Sequence, residues 1–321
     1  MHRVMVTGGA GFIGSHICDR ILGLNHEVVC YDNLITGFRK NIEHLIDLDG
    51  FKFIEGDIRD QEKIEESLEG CTHICHQAAL GSVPRSIENP TRTNEVNISG
   101  SLNILSSCEK FSIKRFVFAS SSSVYGDNLD MPKMEGKTGN VLSPYAVTKS
   151  TFEDYARVFH QIHGTETIGL RYFNVFGPRQ SPEGAYAAVI PLFMKAIVEG
   201  KSPTIFGDGE QTRDFTYVQN AVDANILALF GDAPRAYGKN FNVACGKTHS
   251  INSVFETINK SIHHSLGSKR IIKPIFGEPR SGDIKDSLAD LSLIRDTLGY
   301  EPKISFVDGI NETVSWFLSE N

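Results

Sequence analysis

The sequence predicts an α/β fold: a doubly wound parallel sheet with a smaller, discontinuous C-terminal lobe. Three observations carry that expectation. Short apolar runs alternate with amphipathic stretches up to about residue 243, the pattern of parallel strands joined by helical crossovers. A glycine-rich turn links the first strand to the first helix. From Gly177 the alternation loosens, and Gly-Pro-Arg-Gln-Ser-Pro-Glu-Gly over 177–184 reads as a loop.

In chain order, Arg3-Val-Met-Val-Thr7 is a strand that runs into Gly8-Gly9-Ala10-Gly11-Phe12-Ile13-Gly14. A helix over 11–23 follows, with Phe12, Ile13, Ile17, Ile21 and Leu22 on one side. The strand Glu27-Val-Val-Cys-Tyr31 ends at Asp32. Further strands are expected at 51–55, 72–75, 115–119, 167–171 and 240–243, and further helices at 60–68, 93–110, 144–162 and 218–230. Residues 1–176, rejoined by 215–244, would form the main unit. Segments 177–214 and 245–321 would form the second lobe from shorter helices and strands.

At 321 residues the chain can bury one large core or two unequal domains. The formal net charge of −7 gives no basic footprint for nucleic acid. No apolar run reaches the ~18 residues of a membrane span. With the first strand at Arg3, a signal peptide is not expected, and the chain reads as cytoplasmic. The six cysteines, at 18, 30, 71, 75, 108 and 245, are scattered and read as buried free thiols. Cys71-Thr-His-Ile-Cys75-His76 suggests zinc. Alternation along a strand, however, places His73 and Cys75 on one face and His76 on the other, so no metal is expected.

The residues that carry chemistry fall at the C-terminal ends of the strands, where open α/β sheets bind ligands. The spacing Gly8-x-x-Gly11-x-x-Gly14 between strand and helix lets backbone approach a pyrophosphate at the positive helix terminus. Asp32 at the next strand end suits the ribose hydroxyls of an adenosine and repels a 2′-phosphate, which favours NAD over NADP. Tyr145 and Lys149 lie one turn apart on a helix face. An ammonium there would hold the phenol below its usual pKa of about 10. Ser120 to Ser123 could share a substrate proton. Together these pieces equip the chain to move a hydride on or off an alcohol carbon.

The same segments resemble the extended short-chain dehydrogenase/reductases, and within them the nucleotide-sugar 4-epimerases. The pieces are Thr7-Gly-Gly-Ala-Gly-Phe-Ile-Gly14, Asp32-Asn33-Leu34, Gly56-Asp57-Ile58, His76-Gln-Ala-Ala79, Ser120 to Gly126, Ser143-Pro-Tyr-Ala-Val-Thr-Lys149, Leu170-Arg-Tyr-Phe-Asn-Val-Phe-Gly177 and Arg213-Asp-Phe. The stretches from His76 to Ile87 and from Gly184 to Pro191 are most similar to bacterial UDP-N-acetylglucosamine 4-epimerases of O-antigen and capsule synthesis.

The resemblance implies a Rossmann-like sheet and a nucleotide-sugar-binding second lobe. Tyr145, assisted by Lys149 and bridged by Ser121, would take the proton of the sugar 4-hydroxyl while the C4 hydride passes to NAD. The 4-keto sugar would then turn over and take the hydride back on its other face. NAD would rest on Gly8, Gly11, Phe12, Ile13 and Gly14. Asp32, Asn33, Asp57, Ile58, Ala78, Ala79, Tyr172 and Val175, with Tyr145 and Lys149, would also contact it. Asn174 would hold the sugar, Arg213 and Arg280 the diphosphate, and Asp283 the uridine ribose. Ile205 and Phe206 would flank the uracil. Gly81, Ser82, Ser122, Ala188 and Val189 would line the pocket. Ser287 would wall it beside C2, where a small side chain leaves room for a 2-acetamido group.

Rival readings are a 4-epimerase of UDP-uronic acids, with Arg85 or the serines receiving the carboxylate, a sugar dehydratase or decarboxylase, and a non-enzymatic NAD sensor. Dehydration would call for carboxylates after the catalytic serine, and Ser122 and Ser123 stand there instead. The family commonly forms homodimers through helices corresponding to 93–110 and 144–162, where Leu102, Leu105, Phe152 and Phe159 are candidate contacts.

Overall fold

The computed structural model describes residues 1–183, 188–267, 272–279 and 285–320. Its centre is a seven-stranded sheet of β1 (Arg3–Thr7), β2 (Glu27–Asp32), β3 (Phe51–Glu55), β4 (His73–His76), β5 (Arg115–Ser121), β6 (Glu166–Tyr172) and β7 (Lys239–Val243). The spatial order is β7-β6-β5-β4-β1-β2-β3, and every neighbouring pair is parallel. The order reverses between β1 and β4, so a crevice opens beyond their C-terminal ends.

Apolar runs set the strands, and alternation sorts their faces. Val117 joins the core under helices α1 (Phe12–Gly23) and α5 (Val218–Phe230). Phe116 and Phe118 join a second core under α2 (Gln61–Ser67), α3 (Ser101–Lys110) and α4 (Pro144–His163). The same alternation separates the candidate zinc ligands. Cys75 lies 3.5 Å from Asn225 of α5, while His76 bonds to Ser101 of α3.

The structure corrects three expectations. The serines do not all follow the strand, because β5 pairs with β6 as far as Ser121↔Tyr172. The helix over 93–110 is interrupted: Pro90–Asn94 is followed by a wide π-type turn over Glu95–Gly100 before α3 begins. There the Asn97 side chain accepts from Leu80 N at 2.8 Å and donates to Thr148 Oγ1 at 3.1 Å. Gly100 meanwhile packs so close to Ile58 that a Cβ would lie 2.7 Å from that side chain. The third correction concerns the helix faces. Leu105 and Phe152 point into the sheet core, and Leu102 and Phe159 pack against it. The large apolar side chains that α4 exposes are Val147, Tyr155 and Ile162.

The remainder of the chain contributes α-helices Val189–Val198, Ile251–Leu266 and Phe306–Glu320, the last two longer than the sequence pattern suggested. Its strands pair as Thr204–Phe206 with Ile275–Gly277 and Thr212–Asp214 with Thr248–Ser250. Phe193, Ile205 and Phe255 belong to the same buried core as Val6 and Ile17. Fully buried Asp214 ties the segments together, accepting from Cys245 N at 2.9 Å, Gly246 N at 3.0 Å and Ala289 N at 3.3 Å. No helix among the described residues is long and apolar enough to cross a membrane.

His76 yields a test of this packing. Its Nδ1 meets Thr7 Oγ1 at 2.7 Å and its Nε2 meets Ser101 Oγ at 2.8 Å. Burial, with a smaller push from the Lys149 charge, lowers its pKa to about 3. A folded pKa below the unfolded value means that the unfolded chain binds the proton first. The stabilisation is complete above about pH 6.5 and declines as pH falls toward about 3, by roughly 1.4 kcal/mol per unit. Urea unfolding between pH 6.5 and 4.5 should show that decline, and His76→Gln should reduce its slope. An unchanged slope would remove His76 from the acid response.

Candidate active site

The turn from β1 into α1 leaves no space for side chains. Gly8 has φ +67°, and a Cβ on it would lie 2.7 Å from Ala78 N. A Cβ on Gly14 would lie 2.1 Å from the Gly8 carbonyl oxygen. Gly11 caps α1 without a side-chain bond, and no acid occupies the first turn. The leading amides and the positive end of the helix therefore remain available to an anion.

Asp32 is buried, accepting from Ala10 N at 3.0 Å and from Leu34 N at 2.8 Å. Burial pushes its carboxyl up, against the backbone bonds that pull it down. Its oxygens keep further lone pairs for hydroxyl donors. These residues line a cavity of about 720 Å³ together with Asn33, Ile58, Ala78, Ala79 and Tyr172. A backbone cradle for a pyrophosphate and an acid for a ribose fit a dinucleotide.

At the other side of the cavity stand Tyr145 and Lys149, both among its lining residues. Ser143 caps α4 by accepting from Ala146 N, Pro144 opens the helix, and Tyr145 N donates to Ser86 Oγ at 3.0 Å. The backbone at Tyr145 is thereby tied to the helix Val83–Glu88. Lys149 Nζ donates to the Ala119 carbonyl at 2.8 Å and sits 6.0 Å from the Tyr145 ring centroid. Burial lowers the lysine to about 8, opposed by the Glu153 charge. Burial also raises the Tyr145 phenol, opposed by a hydrogen bond from Ser121. The expected depression of the tyrosine by its lysine is therefore not present: burial dominates, and the opposing pull comes from Ser121 rather than from Lys149. Tyr172 completes this wall, its hydroxyl donating to Gln77 Oε1 at 3.0 Å and accepting from Asn225 Nδ2 at 2.7 Å.

The substrate expectations divide between two places. Gly81, Ser82 and Ala188 line the first cavity. Asn174, Val189, Ile205, Phe206 and Arg213 line a second one of about 610 Å³, with Leu192, Phe193 and Phe215. Consecutive residues Ala188 and Val189 thus border different cavities. Arg213 is anchored to the Thr212 and Lys285 carbonyls at 2.8 and 3.1 Å.

Other expected residues border neither cavity. Asp57 is turned to Arg59, at 2.7 and 2.9 Å, which holds its carboxyl down at about 2, and it reaches the first cavity through Asn33 Nδ2 at 3.0 Å. Val175 pairs with Thr216 in a two-residue strand. Ser121 and Ser122 form the end of β5 and the turn after it, and Ser287 is half-buried with its N–H on the Thr212 carbonyl at 3.1 Å. Arg280 and Asp283 lie outside the described residues.

Arg85, which the sequence reading named only for a uronic acid, lines the first cavity. The structure adds lining residues that the sequence reading missed: Asn89 and Arg92 from the helices after β4, and Gln180, Ser181 and Glu183 from the loop after β6. Their position beyond strand C-termini was the available signal.

The NAD dependent epimerase/dehydratase family model matches residues 4–244. The chain belongs to that family. It is 42% identical to the UDP-N-acetylglucosamine 4-epimerase of Methanobrevibacter ruminantium M1, solved with UDP-N-acetylmuramic acid, with a TM-score of 0.92 and coverage of 100% of this chain and 99% of that one. It is 30% identical to the UDP-glucuronic acid 4-epimerase of Bacillus cereus, solved with UDP-glucuronic acid and NAD, with a TM-score of 0.89 over 99% and 100% of the chains. A putative UDP-glucose 4-epimerase of Methanocaldococcus jannaschii is 37% identical over 320 residues, 99% of each chain. The Rossmann-like fold and the NAD cofactor expected from the sequence stand with these relatives.

The cradle makes a direct prediction for this family member. The purified protein should release NAD on denaturation without any having been added. Gly14→Ala, which forces backbone away from the Gly8 carbonyl, should retain at least about tenfold less, equivalent to about 1.4 kcal/mol of binding. Full retention in a folded Gly14→Ala protein would show that the close approach is not required.

Proposed function

We propose that the protein is an NAD-dependent UDP-sugar 4-epimerase whose preferred pair is UDP-N-acetylglucosamine and UDP-N-acetylgalactosamine, with UDP-glucose and UDP-galactose as smaller substrates that also fit. The observation that carries this reading is the pairing of the two cavities. One presents Tyr145 and Lys149 beside a dinucleotide cradle, and the other is mostly apolar, with Arg213 and Asn174 among its lining. The first would hold the sugar and the second the uridine, with Arg213 supplying a guanidinium to the diphosphate.

In this reading Tyr145 receives the 4-hydroxyl proton through Ser121 and later returns it. Lys149, fixed on the Ala119 carbonyl, supplies the positive charge that favours the phenolate. Bound NAD supplies a reversible hydride acceptor. The sugar is released inverted at C4, and no net redox change occurs.

Room for a 2-acetamido group is supported by the small residues Gly81 and Ala188 in the first cavity, where a Cβ on Gly81 would meet nothing within 4 Å. A uronic acid is the second reading, favoured by Arg85 and Arg92 in the same lining. A homodimer belongs to the proposal as well, formed through the face of α4 that exposes Val147, Tyr155 and Ile162.

The test is product analysis with UDP-N-acetylglucosamine, UDP-glucose and UDP-glucuronate in parallel. The acetamido sugar should give the highest kcat/KM; a highest value for UDP-glucuronate would favour the second reading. Gly81→Leu, which fills open space in the first cavity, should then lower the ratio of acetamido sugar to glucose by about 10 to 200-fold, the range for steric differences of 1–3 kcal/mol. An equal loss for both sugars would make Gly81 a supporting residue rather than a wall.

A further inference from the structure

Beneath the catalytic pair lies a buried ion pair that the reaction itself does not touch. Glu153, one turn beyond Lys149 on α4, is 7% exposed, and Arg171 on β6 is 5% exposed. Arg171 Nε donates to Glu153 Oε1 at 2.8 Å and its terminal nitrogen to Oε2 at 2.7 Å, a bidentate fork. Ser120 Oγ donates to the same Oε1. Ser120 is the residue between Ala119, whose carbonyl holds Lys149, and Ser121, which meets the Tyr145 phenol. One carboxylate therefore fastens the end of β5 to the helix that carries Tyr145 and Lys149.

Arg171 also donates to Tyr125 Oη at 3.1 Å and to the Glu135 carbonyl at 3.0 Å, and Tyr125 donates to Asn242 at 2.6 Å. A buried pair of this kind is weak evidence for stability, because desolvation offsets its attraction. Its placement calls for a different role.

We propose that Glu153, clamped by Arg171, is a positioning residue for Lys149: it registers β5 against α4 and supplies the countercharge that keeps the buried lysine in its ammonium form. This rests on the reading of Tyr145 and Lys149 as the catalytic pair. The charged and titratable groups around Lys149 support it. Among the described residues, Glu153 is the anionic neighbour that acts on the lysine. His76, facing from β4, is neutral at ordinary pH, and Arg171 on β6 is engaged by the carboxylate. Tyr145 lies on the same helix.

The experiment is the pH profile of kcat and KM for the NAD-loaded protein carrying Glu153→Gln, which keeps the shape and removes the charge. The alkaline fall of kcat should move toward neutral pH by roughly one unit. At pH 8.5, kcat should drop about tenfold while KM for the UDP-sugar stays within about twofold. If Glu153→Gln does not fold, the double variant Glu153→Met with Arg171→Met removes both charges without leaving one unpaired, and should show the same displaced profile. A folded variant with the native pH profile overturns the proposal. Tyr145→Phe separates this from the underlying reading: it should cost at least about 10²-fold in kcat, and near-native activity there would sink the catalytic pair itself.

Discussion

The buried hydrogen bond from Lys149 Nζ to the Ala119 carbonyl fixes the relation between helix α4 and the end of β5. Everything reactive in the site depends on that relation. β5 delivers Ser120 and Ser121, α4 delivers Tyr145 and Lys149, and the dinucleotide cradle of β1 and α1 lies across the same cavity. An ammonium in so dry a place needs both an acceptor and a countercharge. The carbonyl provides the first and Glu153 opposes the desolvation.

Burial has opposite consequences for the two partners. It raises the Tyr145 phenol and lowers Lys149 to about 8, so each is driven toward its neutral form. A neutral tyrosine is a poor base, and a neutral lysine cannot assist it. The protein answers with fixed dipoles and charges, namely Ser121 on the phenol and Glu153 near the lysine, rather than with solvent. The strand-end carbonyl, the serine hydroxyls and the ion pair all come from elements whose backbone is already held by the sheet and by the caps Ser143 and Ser86.

Sequence reasoning reached the parts of this arrangement that local chemistry dictates. β1 and β3 have the expected bounds because apolar runs end there in turns. The glycine cradle was legible because its spacing has a steric cause, and Asp32 because it closes β2. Long-range geometry was not legible. Residues 95–99 include neither proline nor glycine, so nothing in the sequence interrupts a helix there, which hides the π-type turn that Asn97 makes against Leu80. Glu153 and Arg171 look like ordinary charges until β6 and α4 are brought together. Phe152 and Tyr155 sit three residues apart on α4, yet only packing shows that the first fills the core and the second faces outward. Ser287 illustrates the converse: its small size suggested a pocket wall, but its backbone bond to Thr212 sets it next to Arg213, and it lines neither cavity.

In the proposed reaction, Tyr145 and Lys149 serve a hydride transfer at C4 that begins and ends on the same sugar. The decisive measurement is epimerisation in D₂O, with the product sugar examined by mass spectrometry and proton NMR. Retention of hydrogen at C4 in the inverted product is the predicted result, because the hydride never exchanges with solvent. Deuterium at C4 would show that inversion proceeds by proton abstraction from carbon, and no hydride transfer by this pair would remain.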